Sequence, residues 1–349
     1  MKQKIFAWAC DFSPFRGEGI LARSFAIDFS IKKKIDIYIK SPENFYHVKK
    51  GKIKEITKNN KKNINFRLLN NYLWPIKGIF YLWKLYFQKK KIMYLNFMPL
   101  WNFILFYFLP PKVFIGPITG FNPKKKIENY SGLIRLILIS IFFRLSMFVF
   151  FKRFKNLMFS TNLLEKNFFN KSRNSFYFNY LISSNLNKKI SANKNRKIDF
   201  LIYNRNYSVK EHYKLNNLIK YLLKKNYNVH CVGDHLKLQN LKNHNIISRE
   251  RVKKLLKSTK LVISSPENPY SLFTLDAIKM GSKILFDIKY RGKLSFLKYN
   301  FKQYINLDKP NYKYIEKTIK QKKNNNQLDL RELISLKKRN SEYFRNIIV

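Results

Sequence analysis

Acids are scarce in this chain: its 349 residues hold 20 Asp plus Glu against 70 Lys plus Arg, a formal net charge of +50. A field of that sign attracts anionic nucleotides, phospholipid surfaces and nucleic acids. Glycine is also scarce, at 10 residues, and the only cysteines are Cys10 and Cys231. Both cysteines fall in apolar runs of strand character and form no metal-spaced cluster, which points to a reduced, cytoplasmic compartment. Internal repeats and extended low-complexity tracts are lacking. The basic start, Met1-Lys-Gln-Lys, leads into an apolar run too short for a signal peptide. What is abundant is Lys, Asn, Ile, Phe (32) and Tyr (22). A/T-rich codons produce such a bias, so the charge is a discounted guide to function.

At this length the chain exceeds one ordinary core and suits two domains. Strands are expected at 5–10, at a second run ending 37–40, and at 113–115 and 156–160. In the second half they are expected at 199–203, 228–232, 260–264 and 283–287. Their alternation with helical stretches argues parallel sheets of the doubly wound kind. The polar, lysine-rich stretch 183–197 reads as a linker between domains at 1–182 and 198–325. A final amphipathic helix is expected within 326–349.

The run Ile198-Asp-Phe-Leu-Ile-Tyr203 leads into Arg205-Asn-Tyr-Ser-Val-Lys210. Ser208 and Glu211 stand in the relation of a capping box, and Leu215, Leu218, Ile219 and Leu222 recur at helical spacing. A helix is therefore expected to open near Val209, offering unpaired N–H groups and partial positive charge to a phosphate. Arg205 before it and Lys210 in its first turn bring two cations to one diphosphate. Arg binds phosphate as a bidentate fork and Lys as a point charge. Either cation alone carries little weight among 70; the strand, cap and spacing single them out together.

A second signature needs carboxylates. Leu261-Val-Ile263 reads as a buried strand opening at Ser264-Ser265, with Glu267 in the loop beyond. Residues 272–280 read as a helix closed by Gly281 at its C′ position, with Asp276 about one turn inside. An ionised carboxylate accepts hydrogen bonds from sugar hydroxyls, and ligands of open α/β sheets bind at the carboxyl ends of strands. Asp276 also admits a second reading, as an acid near a helix start favoured by the macrodipole.

In this order and spacing, the two signatures resemble the pyrophosphate-gripping and sugar-gripping elements of retaining family 4 glycosyltransferases with the GT-B fold. The specific motifs cover residues 197–287. The resemblance implies an α/β fold of two Rossmann-like, doubly wound domains facing across a cleft. It implies transfer of a sugar from a nucleoside diphosphate to an acceptor hydroxyl with retention, using no metal or other cofactor. Arg205, Lys210 and Glu267 would be the catalytic group, the cations stabilising the departing diphosphate. Glu267 and Asp276 would orient the donor sugar. The family's E-x7-E element is off register here: eight residues before Asp276 stands Asn268, Glu267 is one place earlier, and the second acid is Asp. No catalytic base is identified; His47 and His212 stand alone and read as surface residues.

The first half adds Gly17 and Gly19, after a strand and a six-residue loop. In the resembling family a glycine-rich loop here approaches the donor phosphates, which absent side chains permit. Gly17, Gly19 and Ala22 also spell G-x-G-x-x-A. The distance from the strand and the missing ribose-binding acid after the second strand argue against a dinucleotide site. Gly116-Pro-Ile-Thr-Gly120 is expected as a turn leaving the strand at 113–115, with Thr119 a candidate ligand contact or simply part of a turn.

Residues 133–151 form a long apolar run, but Arg135 and Arg144 interrupt it, and an Arg near the bilayer centre costs about 3 kcal/mol. Flanking lysines and many aromatics suit a helix lying in an anionic membrane surface, as does the stretch 80–87. A buried-core role for both remains open. The expected partners are thus a nucleotide-sugar, a glycan or lipid-linked acceptor and an anionic membrane surface, with no specific nucleic acid. The location expected is the cytoplasmic face of the plasma membrane. A catalytically inactive GT-B scaffold and a basic nucleic-acid-binding protein are the alternatives.

Overall fold

The computed structural model describes residues 3–14, 17–42, 44–58, 67–95, 103–118, 130–154, 157–161, 176–177, 180–185, 196–204, 214–264, 266, 269–291, 303–320 and 330–346. Contacts divide the chain into two compact units, residues 1–184 with 337–349, and residues 185–336.

The first unit runs β1 (Lys4–Trp8), α1 (Gly17–Lys33), β2 (Asp36–Lys40), β3 (Asn44–Lys49), β4 (Lys52–Lys58), α2 (Arg67–Phe87) and β5 (Lys91–Tyr94). It continues with α3 (Phe103–Phe108), β6 (Phe114–Ile118), α4 (Tyr130–Arg153), β7 (Leu157–Phe159), β8 (Phe176–Tyr177) and α5 (Tyr180–Asn185). The strands form one sheet in the order β4-β3-β2-β1-β5-β6-β7-β8. It is parallel from β2 to β8, and β3 and β4 add an antiparallel hairpin at one edge. Parallel strands covered on both faces read as apolar runs, which is why β1 and β6 were legible as buried strands.

The second unit runs β9 (Ile198–Asn204), α6 (Leu215–Lys224), β10 (Val229–Gly233), β11 (Lys242–Asn243), α7 (Arg249–Lys257), β12 (Thr259–Ile263), α8 (Leu272–Lys279), β13 (Lys283–Asp287), β14 (Gln303–Ile305) and α9 (Tyr312–Lys320). Its sheet is parallel throughout, in the order β11-β10-β9-β12-β13-β14. The amphipathic α6 buries Leu215, Leu218, Ile219 and Leu222 in a core shared with Phe200, Leu261 and Leu285. The last helix, α10 (Leu330–Asn346), belongs from Lys337 onward to the first unit. There Phe344 packs on Phe25 and Phe29 of α1, with ring centroids 5.7 Å apart in each pair.

Several sequence expectations are corrected. β1 stops at Trp8, so Cys10 lies beyond the strand, its Sγ 3.1 Å from Tyr94 Oη and 3.3 Å from Trp8 Nε1. Gly116, Pro117 and Ile118 continue β6 rather than leaving it as a turn. Pro117 has no N–H for a ladder, and the pairing of β6 with β7 accordingly shifts between Ile115 and Ile118. His47 is half-buried rather than on the surface, 3.3 Å from Asp36 Oδ2 and stacked on Tyr38 at 4.6 Å. The hairpin β3–β4 was not expected; its two-residue turn, Lys50-Gly51, has positive φ at both positions, the geometry that matches strand twist.

Glycine scarcity leaves a mark on the helix ends. α8 closes on Gly281 at φ +68°, with Gly281 N–H donating to Ile278 O and Ser282 N–H to Ala277 O. This is a Schellman closure, which needs a left-handed residue. α1, α2 and α6 close with the same pair of bonds, but the left-handed residue is Lys34, Lys89 or Asn226. No helix among the described residues is long and apolar enough to cross a membrane.

Candidate functional site

The parallel sheet of the second unit gathers the carboxyl ends of its strands on one edge, where open α/β sheets bind ligands. β9 and β12 are neighbours there, with Ile202 opposite Ile263. The segments following them, which carry the two sequence signatures, therefore start one strand spacing apart. β9 ends at buried Asn204, whose Nδ2 donates to Asp234 O at 3.0 Å, while Asp234 N–H donates to Asn204 O at 3.1 Å. Gly233 sits between them at φ +108°, and a Cβ there would collide with the Asn204 carbonyl. β12 leads into Ser264, whose buried hydroxyl has no hydrogen-bond partner among the described residues. Beyond it the buried Tyr290 hydroxyl donates to Pro266 O at 2.9 Å, fixing the loop at that point.

α8 begins at its N-cap Ser271, whose hydroxyl accepts the Thr274 N–H at 3.2 Å. Asp276 is in the second turn and is buried. Its carboxylate receives two hydrogen bonds from Arg249, Nε to Oδ2 at 2.6 Å and Nη2 to Oδ1 at 2.8 Å. Arg249 is the first residue of α7, so this pair ties the two helices together. A carboxylate so held keeps lone pairs for another donor. Arg196 supports the far end of α8, its guanidinium donating to Thr259 O, to Met280 O at 3.1 Å and to Gly281 O at 2.7 Å. Met280 O and Gly281 O lie at the end of α8, where carbonyls lack intrahelical partners. Thr259 O belongs to the first residue of β12, so Arg196 ties the helix end to the strand. Neither arginine was singled out by sequence; one lay in the expected linker, the other 27 residues before its acid.

In the first unit, the loop after β1 is folded on itself. Asp11 Oδ1 accepts Ser13 N–H at 2.8 Å, and Arg23 donates to Phe12 O at 2.9 Å while covering the Phe12 ring. A Cβ on Gly19 would collide with the Ser13 backbone, so glycine there is required by the loop packed on α1. A Cβ on Gly17 would meet nothing within 4 Å. The two glycines thus answer to different constraints.

Arg205, Lys210, Glu267 and Thr119 lie outside the described residues, as do Ser208 and Glu211 of the expected capping box; the described helix α6 begins at Leu215. Among the described residues no group of three or more His, Cys, Asp or Glu is arranged to hold a metal ion.

No protein-family profile matches the chain, and no curated protein sequence does. Solved structures match it in shape. A Methanocaldococcus jannaschii UDP-GlcNAc 2-epimerase in complex with UDP-GlcNAc and UDP aligns with a TM-score of 0.54 and 12% identity, over 93% of this chain and 94% of that one. The apo lipopolysaccharide outer core galactosyltransferase WaaB aligns with a TM-score of 0.51 and 10% identity, over 99% and 98%. The glycotransferase of kitacinnamycin gives 0.51 and 8% over 99% and 96%. The chain has the GT-B fold. The two Rossmann-like domains of a GT-B protein correspond to the two units above, each built on a largely parallel sheet. At these identities the likeness is one of fold.

Proposed function

We propose that this GT-B chain transfers a sugar from a nucleoside diphosphate to an acceptor hydroxyl with retention of configuration. The supporting observation is that the cationic and the acidic signature each follow one of two adjacent parallel strands, β9 and β12, at the carboxyl edge of one sheet. In this reading Arg205 and Lys210 grip the diphosphate, while Glu267 and Asp276 orient the sugar, Asp276 already fixed by Arg249. The anomeric C–O bond breaks and the diphosphate leaves with the electron pair. The acceptor oxygen bonds to the anomeric carbon on the same face and passes its proton to the departing diphosphate oxygen, so no separate base is required. Cations at the leaving group lower the barrier because charge grows there in the transition state, so no metal or other cofactor is invoked. The acceptor is a glycan or lipid-linked intermediate.

A thermal-shift screen against UDP-, GDP-, ADP- and dTDP-sugars, followed by NMR of the anomeric proton in the product, tests this. Stabilisation by one nucleotide series and a glycoside of unchanged anomeric configuration are expected. Conversion of a UDP-sugar to its 2-epimer without acceptor would assign the chain the chemistry named for its epimerase neighbour. No stabilisation by any nucleotide would leave a non-catalytic GT-B scaffold.

A further inference from the structure

α2, α3 and α4 lie side by side on the first unit's sheet. Their inward residues share one core with Trp8 and Tyr94. Trp83 Nε1 on α2 donates to Phe108 O on α3 at 2.8 Å. Phe106 on α3 meets Phe150 on α4 at 4.2 Å, and Arg153 on α4 covers the Tyr107 ring at 5.7 Å. The three helices therefore present one continuous outward surface.

That surface is the wrong way round for water. A helix covering a sheet turns a polar face outward. On α2 the outward stripe is Ile76, Phe80 and Phe87, at one-turn to two-turn spacing, with Phe80 and Phe87 71% and 74% exposed. On α4 it is Ile141, Leu145 and Phe148, the last 59% exposed, and α3 adds Tyr107 and Phe108 between them. Contiguous exposed apolar patches mark contact surfaces. Cations are interleaved along the same stripes: Lys77 and Lys84 on α2, Arg144 and Lys152 on α4, all exposed. The three helices contain no acid, and residues 67–153 contain one, Glu128.

Charge decides the occupant. A second copy would bring like charges together without partners, and protein interfaces deplete charge from their apolar centre. An anionic headgroup layer satisfies both components: aromatic and aliphatic tips enter the acyl boundary while Lys and Arg heads snorkel to phosphates. We propose that this face seats the protein on an anionic phospholipid surface, with α2, α3 and α4 lying in the headgroup plane. The proposal stands on the first unit alone and is independent of the chemistry assigned to the second.

Flotation of the full chain with vesicles of phosphatidylcholine alone, or mixed with phosphatidylglycerol, is the test. Capture by the anionic vesicles at low salt and release at high salt are expected, since each cation near such a surface contributes roughly fivefold to affinity. The double variant Phe80→Ser, Phe148→Ser should keep the wild-type melting curve and bind at least about tenfold more weakly. Lys84→Glu with Lys152→Glu should lose the preference for anionic vesicles. Failure of anionic vesicles to capture the protein at low salt overturns the proposal, as does capture unaltered in both variants. A wild-type dimer that the Phe variant dissociates, without vesicle binding, would assign the face to a second copy and equally overturn it.

Discussion

Arg249 holds Asp276 in a two-bond clamp that joins the first turn of α7 to the second turn of α8. The acid is buried, whereas the arginine retains some access to solvent. Arg249→Ala would strand a buried carboxylate, and breaking such a pair costs about 3 kcal/mol. Replacing both partners, as Arg249→Met with Asp276→Leu, should recover most of that loss because no charge is left unpaired. Urea denaturation of the single and double variants measures it; equal losses in both would show that the clamp itself contributes the stability.

Gly17 and Gly19 should separate in mutagenesis. Gly19→Ala drives a methyl group into the Ser13 backbone and should lower the melting temperature. Gly17→Ala meets open space, and its melting temperature should stay near wild type. A drop in donor affinity in the Gly17 variant, without loss of stability, would tie that position to ligand rather than to packing.

Three helices end on a left-handed Lys or Asn where α8 uses Gly281. A left-handed residue with a Cβ costs about 1 kcal/mol relative to glycine. Lys34→Gly and Lys89→Gly should each stabilise the protein by up to that amount, and Gly281→Ala should destabilise it similarly. Differential scanning fluorimetry of the three variants reads the sign directly.

His230 supplies a pH dependence. Its Nε2–H donates to Asn228 Oδ1 at 3.1 Å, leaving Nδ1 to accept from His244 Nε2–H at 2.9 Å. Burial, then the neighbouring His244 and Lys242, push its pKa from 6.5 down to about 4. The folded ring therefore stays neutral while the unfolded one takes a proton below 6.5. The full contribution to stability is present above pH 6.5 and is lost as pH falls toward 4, at roughly 1.4 kcal/mol per unit. Urea midpoints at pH 7 and pH 5 should differ in that direction, and the difference should shrink in His230→Gln.

The strands buried on both faces were legible because a parallel sheet demands unbroken apolar runs; 283–287 was read with the same bounds that β13 has. Gly281 as the end of α8 followed from the need for a left-handed residue. The β3–β4 hairpin was not legible: it lies at a sheet edge, where short, charged strands are usual, and Lys50-Gly51 resembles any lysine-rich loop. Asp276 could be found from its place before Ala277 and Gly281, but its partner could not. An ion pair 27 residues apart depends on how α7 meets α8, and with 70 cations no spacing rule selects Arg249. Arg196 was hidden for the same reason, as one cation in a polar stretch.

Arg205 and Lys210, which follow β9 in the sequence, are proposed to grip a nucleoside diphosphate. Isothermal titration of the nucleoside diphosphate selected by the thermal-shift screen, into wild type, Arg205→Ala and Lys210→Ala, tests this most directly. Each substitution removes a charge-assisted phosphate contact worth roughly 1.5–3 kcal/mol, so affinity should fall by about tenfold or more in both. Lys224→Ala, at the exposed end of α6, should bind as wild type does. Wild-type affinity in both the Arg205 and the Lys210 variant would contradict the assignment.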